Sequence, residues 1–169
     1  MTYFEQEKIE NIAEITIAGV SNRNFGGWGA IIVENGIKRE LIGGSIYTTI
    51  NQMELIACSQ ALKSLSQKSI VNININSLYI IDGITKWIAG WKKNKWLTKS
   101  GEPVKNKSFW LDLEKACQYH KINWHLIFSC PNAEKLANSG KEAEKLKMRK
   151  NGNNNINNRD NLVESAKTH

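Results

Sequence analysis

The chain has 169 residues, with 23 Lys and Arg against 16 Asp and Glu, a net charge of +7. That length supports one self-sufficient domain with a tail, and the positive balance favours a polyanionic partner, nucleic acid before membrane. Cys58, Cys117 and Cys130 are widely spaced and form no CxxC pair, which argues against a zinc ribbon or disulfide framework and suits a reducing, nucleic-acid-containing compartment such as the cytoplasm.

The opening MTYFEQEKIEN lacks the basic and apolar blocks of a signal peptide, and residues 1–11 read as an N-terminal extension. No apolar run reaches membrane-spanning length, so no membrane partner is expected. Ile12–Ala18 reads as a first strand. Gly26-Gly27 breaks the pattern, and Trp28–Val33 reads as a second strand. Asn35-Gly36 then signals a hairpin into a third strand over Ile37–Tyr47. The periodicity of Met53, Ile56, Ala57, Ala61, Leu62 and Leu65 predicts a helix over Asn51–Gln67. Ile70–Asn76 alternates Val71, Ile73 and Ile75 with Asn72, Asn74 and Asn76, which is a strand. Leu78–Trp91 and Ser108–Tyr119 are helical, Ile122–Phe128 is a fifth strand, and Glu134–Lys150 is a last helix. Asn151–Asn161 is polar low-complexity sequence with little apolar surface to offset ordering entropy, so residues 151–169 read as a disordered tail. The order predicts an α/β domain over residues 12–150: a five-stranded mixed sheet, three antiparallel strands and then two more, with helices packed on it.

One stretch stands out. GITKWIAGWKKNKWLTKSGEPVKNKSFW, Gly83–Trp110, sets Trp87, Trp91 and Trp96 among seven lysines, with Glu102 the only acid between them. Ile84, Trp87, Ile88 and Trp91 fall at i, i+3, i+4 and i+7, one apolar helix face. Lys92, Lys93 and Lys95 follow as a basic ledge. Lysines beside aromatics suit a phosphate backbone, where neutralised charges release counterions. A solvated helix pair with buried tryptophans would carry the same pattern.

With GGWGAII (Gly26–Ile32), TTINQMEL (Thr48–Leu55), Asn76-Ser77-Leu78-Tyr79 and the stretch above, the chain resembles a type 1 ribonuclease H, the bacterial form with a basic handle. The resemblance covers roughly residues 12–150. It implies the ribonuclease H-like fold, with helices on both faces of the sheet, and cleavage of the RNA strand of an RNA–DNA hybrid by four carboxylates holding two Mg2+ ions. Two divalent ions close together repel, and anionic oxygens must offset that.

Against that pattern the catalytic positions are eroded. Ala18, in Ile17-Ala18-Gly19, stands where the family has its first Asp. Glu54, in Met53-Glu54-Leu55, is retained. Asn76 replaces the third acid with a neutral amide. Register places Gly140 or Glu142 at the fourth, and Cys130-Pro131-Asn132 replaces the family's histidine loop. Glu14, on the same strand face as Ala18, lies four residues, roughly 13 Å, away and is too distant to substitute. Asp82 sits beyond the site. Any metal at Glu54 would be weakly held, and no cofactor is expected for the chain as written, with Mg2+ the cofactor of an active form. The resemblance also implies nucleic-acid contacts for Thr49, Asn51, Lys86, Lys92, Lys93, Lys95, Trp96, Lys99, Lys105 and Asn106, with Ile50, Gln52 and Leu78 departing from family residues. Trp96 is expected to be the exposed tryptophan. Cys130 reads as an inert loop thiol, and His125 as a structural histidine.

Three functions remain open on the sequence. The first is a catalytically impaired ribonuclease H-like protein, monomeric by default, that binds hybrid or other double-stranded nucleic acid through the handle and the Lys141–Lys150 helix. The second is an active magnesium-dependent endonuclease that was deliberately disarmed at positions 18 and 76. The third is an interaction module in a larger protein or ribonucleoprotein assembly.

Overall fold

Alternation along β1 (Asn11–Ser21) decides which way the sheet faces. In the computed structural model, which describes the backbone of residues 10–165 and the side chains of residues 10–153, Ala13, Ile15 and Ile17 are fully enclosed while Ile12 and Glu14 are exposed. β1 pairs antiparallel with β2 (Phe25–Glu34), Ile15 opposite Ile32 and Ala18 opposite Gly29. β2 turns through Asn35-Gly36, both at positive φ, into antiparallel β3 (Ile37–Ile46). The chain then crosses over through α1 (Ile50–Lys63) to β4 (Ser69–Ile75), parallel to β1 with Ile17 opposite Ile75. β5 (Lys121–Leu126) adds parallel to β4. The order β3-β2-β1-β4-β5 is the expected mixed sheet.

Helix α1 starts where Thr49 closes a capping box. Its hydroxyl accepts from the Gln52 amide at 3.2 Å while Gln52 Oε1 accepts from the Thr49 amide at 3.2 Å, which satisfies two orphan donors of the first turn. Met53, Leu55, Ala57, Cys58, Ala61 and Leu62 are buried in the main core. The helix ends at Lys63 rather than at Gln67, because Ser64 turns its hydroxyl onto the Ala61 carbonyl at 2.7 Å and caps it there.

The opposite face of the sheet takes α5 (Pro131–Ser165), which packs on β1, β2 and β3. The approach is close enough to require missing side chains: a Cβ on Gly140 would lie 2.1 Å from the Gly43 carbonyl oxygen, and one on Gly27 2.0 Å from that of Ala137.

Two further expectations are corrected. The helix predicted over Leu78–Trp91 is three pieces: α2 (Leu78–Asp82), a π-helical turn (Gly83–Trp87) and α3 (Ile88–Lys93). The extra residue in the wide turn shifts the helix phase, so Ile88 is buried while Trp87 stands 41% exposed. Gly83 permits the turn's packing, since a Cβ there would sit 2.1 Å from the Trp110 ring. The second concerns the tail. Helical backbone continues through the Asn-rich segment to Ser165, where disorder was expected. Extending an existing helix avoids the nucleation cost that a separate segment would face, so the strong helix former before it carries the backbone on. Residues 1–9 of the N-terminal extension and 166–169 of the tail lie outside the described residues. α4 (Lys107–Cys117) completes the elements.

Candidate active site

Where β1 and β4 end side by side, a pocket of about 220 Å³ opens between Ile17–Val20, Ile50, Glu54, Asn76, Cys130 and Glu134. Each element delivers its residue for a local reason. Ala18 is the last buried outward residue of β1, in contact with Cys130, Ala133 and Ala137. Glu54 sits one residue past Met53 on α1, close against Gly19, whose Cβ would meet the Glu54 side chain at 3.0 Å. Asn76 follows the last residue of β4, and its Nδ2 donates to the Phe128 carbonyl at 3.2 Å. Glu134 lies on the first turn of α5, and its amide donates to the Cys130 carbonyl at 2.9 Å.

Glu134 is the acid that register matching missed. Gly140, the first candidate for the fourth position, is where α5 presses on β3. Glu142, the second, is on the exposed face of α5 and pairs with Lys145 at 2.9 Å. The sequence did hold a signal. Ala133, Ala137 and Gly140 recur at i, i+4 and i+7, and this small-residue stripe marks the helix face that meets the sheet. Glu134 follows its first member. The other two acids considered as substitutes are engaged elsewhere. Glu14 accepts from Asn72 at 3.1 Å and Asn74 at 2.6 Å, and Asp82 pairs with Lys86 at 2.8 Å.

Glu54 is buried, and no basic side chain lines the pocket. Burial pushes the Glu54 carboxyl up to about 7, and the Ser77 hydroxyl pulls it back only in part. Its Oε2 is buried without a hydrogen-bond partner. Burial, and then the charge of Glu134, push the Cys130 thiol up to about 11. Its Sγ lies 3.6 Å from the Ile17 carbonyl and 3.8 Å from Glu134 Oε1. A thiol so raised is a poor nucleophile, in keeping with an inert role.

The Gly83–Trp110 stretch is built on stacked rings. Trp110 is fully buried, 5.3 Å from Tyr79 and 5.4 Å from Trp91, and Trp91 in turn lies 5.9 Å from Trp96. Trp96 is thus half-buried, with Lys107 5.7 Å above it, and Trp87 is the more exposed ring. Lys95, Trp96 and Asn106 all take left-handed backbone. Asn106 bridges α1 and α2, accepting from Gln52 at 3.1 Å and donating to the Tyr79 hydroxyl at 3.3 Å. Of the lysines, Lys86 is held by Asp82 and Lys92 by Glu114 at 2.6 Å. Lys93, Lys95, Lys99 and Lys105 are exposed.

The ribonuclease H family profile matches residues 17–129, ending just before Cys130 and Glu134. The chain belongs to the type 1 ribonuclease H family. Ribonuclease H of Bartonella tribocorum is 48% identical over 120 residues, covering 70% of this chain and 77% of that protein. That of Hyphomonas neptunium is 48% identical over 103 residues, covering 61% and 69%. Among solved structures, a type 1 RNase H with the type 2 active-site motif superposes with a TM-score of 0.70 at 22% identity, covering 79% of this chain and 74% of that one, which supports the ribonuclease H fold.

The pair of magnesium ions that the family implies does not fit this pocket. Position 18 offers no donor, Asn76 brings no charge, and two carboxylates cannot balance two divalent cations. Among the described residues no three His, Cys, Asp or Glu side chains come together as a metal-holding group. No helix among them is long and apolar enough to cross a membrane.

Proposed function

We infer that this ribonuclease H-family chain binds RNA–DNA hybrid or other duplex nucleic acid and cleaves it weakly or not at all. One observation carries the reading: the pocket at the sheet end holds Glu54 and Glu134, but Ala18 and Asn76 where two further acids would be needed. Support for binding comes from the exposed handle lysines and the net charge of +7, and from relatives bearing the name Ribonuclease H. A labelled hybrid incubated with Mg2+ or Mn2+ tests catalysis. Turnover matching an intact family member would overturn the reading. A nucleic-acid-containing cytoplasm is the compartment it suits.

A second reading is favoured by Glu134. With a fourth-position acid in place, the pocket lacks two carboxylates rather than three. Ala18→Asp with Asn76→Asp would then complete a set of four and restore magnesium-dependent cleavage. A double variant that folds and binds hybrid, yet takes up no magnesium by calorimetry, would exclude this reading and point to Cys130, packed on Ala18, as closing the site.

A further inference from the structure

The ring of Phe128 is 96% exposed, the most exposed large apolar side chain among the described residues. Its backbone is fixed. The Ile127 amide donates to the Ile75 carbonyl at 3.1 Å, and the Phe128 carbonyl accepts from Asn76 at 3.2 Å. Leu78, on the first turn of α2 two residues past Asn76, is 58% exposed. The loop therefore holds a bare ring on a backbone bonded to Asn76, which itself lines the pocket.

We propose that Phe128 is a stacking step for an unpaired base, so that the protein takes duplex nucleic acid with a single-stranded extension. The inference rests on the duplex-binding reading above. Three features point to a base. The ring has both faces open, which suits π-stacking with any base. Asn76, bonded to the Phe128 carbonyl, and Ser129 after it are exposed and polar, which interrupts the contiguous apolar patch, on the order of several hundred Å², that a protein partner calls for. Finally, the chain's net charge of +7 and the open lysines of the handle select a polyanion as the molecule that arrives. Because the backbone is already pinned, stacking orders little besides the base itself.

The test compares a blunt RNA–DNA hybrid with the same hybrid carrying a short unpaired extension that contains 2-aminopurine. Fluorescence polarisation gives affinity, and quenching of the 2-aminopurine reports stacking. The extended probe is expected to bind the native protein more tightly, with quenching. Phe128→Ala should lose that advantage, roughly 5- to 100-fold, and leave blunt affinity unchanged, while Phe128→Trp keeps it. Equal affinity of the native protein for both probes, or an equal loss on both in Phe128→Ala, would overturn the stacking role alone. Unchanged binding of both probes by Phe128→Ala, together with loss of a self-associated species in sedimentation, would also overturn it and make the ring protein-facing. Failure of the native protein to bind the blunt hybrid at low salt would overturn the duplex-binding reading and this inference with it.

Discussion

Cys130 Sγ and Glu134 Oε1 lie 3.8 Å apart on the wall of the pocket that also holds Glu54. The contact ties the loop after β5 to the first turn of α5, and its effect on the thiol can be measured. The Glu134 charge is the second cause, after burial, of the raised Cys130 thiol. Glu134→Gln should therefore bring the thiol down and speed alkylation at mildly alkaline pH. The gain should stay below about tenfold, because one pKa unit is tenfold in thiolate and burial remains. Iodoacetamide labelling against pH, in a Cys58→Ala, Cys117→Ala background, reads it. A slower reaction in Glu134→Gln would contradict the geometry.

Glu54 makes stability fall with rising pH. Its carboxyl titrates near 7 when folded against an ordinary 4.5, chiefly through burial. Folding therefore takes up a proton across that window, and the favourable contribution present below it is lost as pH rises through the folded value. Glu54→Gln should flatten this trend and raise stability at pH 8 by on the order of 2–3 kcal/mol. Urea unfolding at pH 5 and pH 8 compares the two. Glu34 runs the other way. Burial pushes it up, but Ser66, Asn11 and Arg39 more than offset that, so its contribution is lost as pH falls below the ordinary carboxylate range.

Gly140→Ala and Gly27→Ala should each destabilise by about 1–3 kcal/mol, the range for forcing atoms into a filled interface. The new methyl at Gly140 would press on backbone at Gly43, which cannot rotate away as a side chain could. Gly90→Ala is the control, because nothing lies within 4 Å of its Cβ position, and it should be neutral or slightly stabilising. Urea midpoints decide the ranking.

Much of the fold was legible because Ile15, Ile17, Val71, Ile73 and Ile75 alternate cleanly with polar or exposed residues, and a period of two leaves one way to face a sheet. The site was legible only where a short segment carries it. Ala18 sits inside a strand, Glu54 on the first helix and Asn76 one residue past a strand, and each lines the pocket. Glu134 was not found, since counting residues across the loop after β5 gives no distance, and the matched family span stops at residue 129. The π turn also escaped, because its register depends on Gly83 meeting Trp110 from another helix.

The handle lysines should not contribute equally. Lys93→Ala, Lys95→Ala and Lys99→Ala should each lower the log–log salt slope of hybrid binding by roughly 0.7–0.9 for every phosphate left without its cation. Lys86→Ala and Lys92→Ala should lower it less, because Asp82 and Glu114 already hold those ammonium groups. Polarisation titrations over a range of KCl separate the two groups, and uniform slopes would refute the division.

The π turn at Gly83–Trp87 closes with the Ile88 amide on the Gly83 carbonyl, five residues back. Each helical residue turns the chain by about 100°. Deleting Thr85 would remove one such step while the turn rewound as ordinary helix, and the two changes cancel. Trp91 would keep its seat against Trp110, 5.4 Å away, and the lysine arm its direction. The wide turn is thus a slack coil that takes up one supernumerary amino acid, so the chain can differ in length there without re-aiming the basic projection.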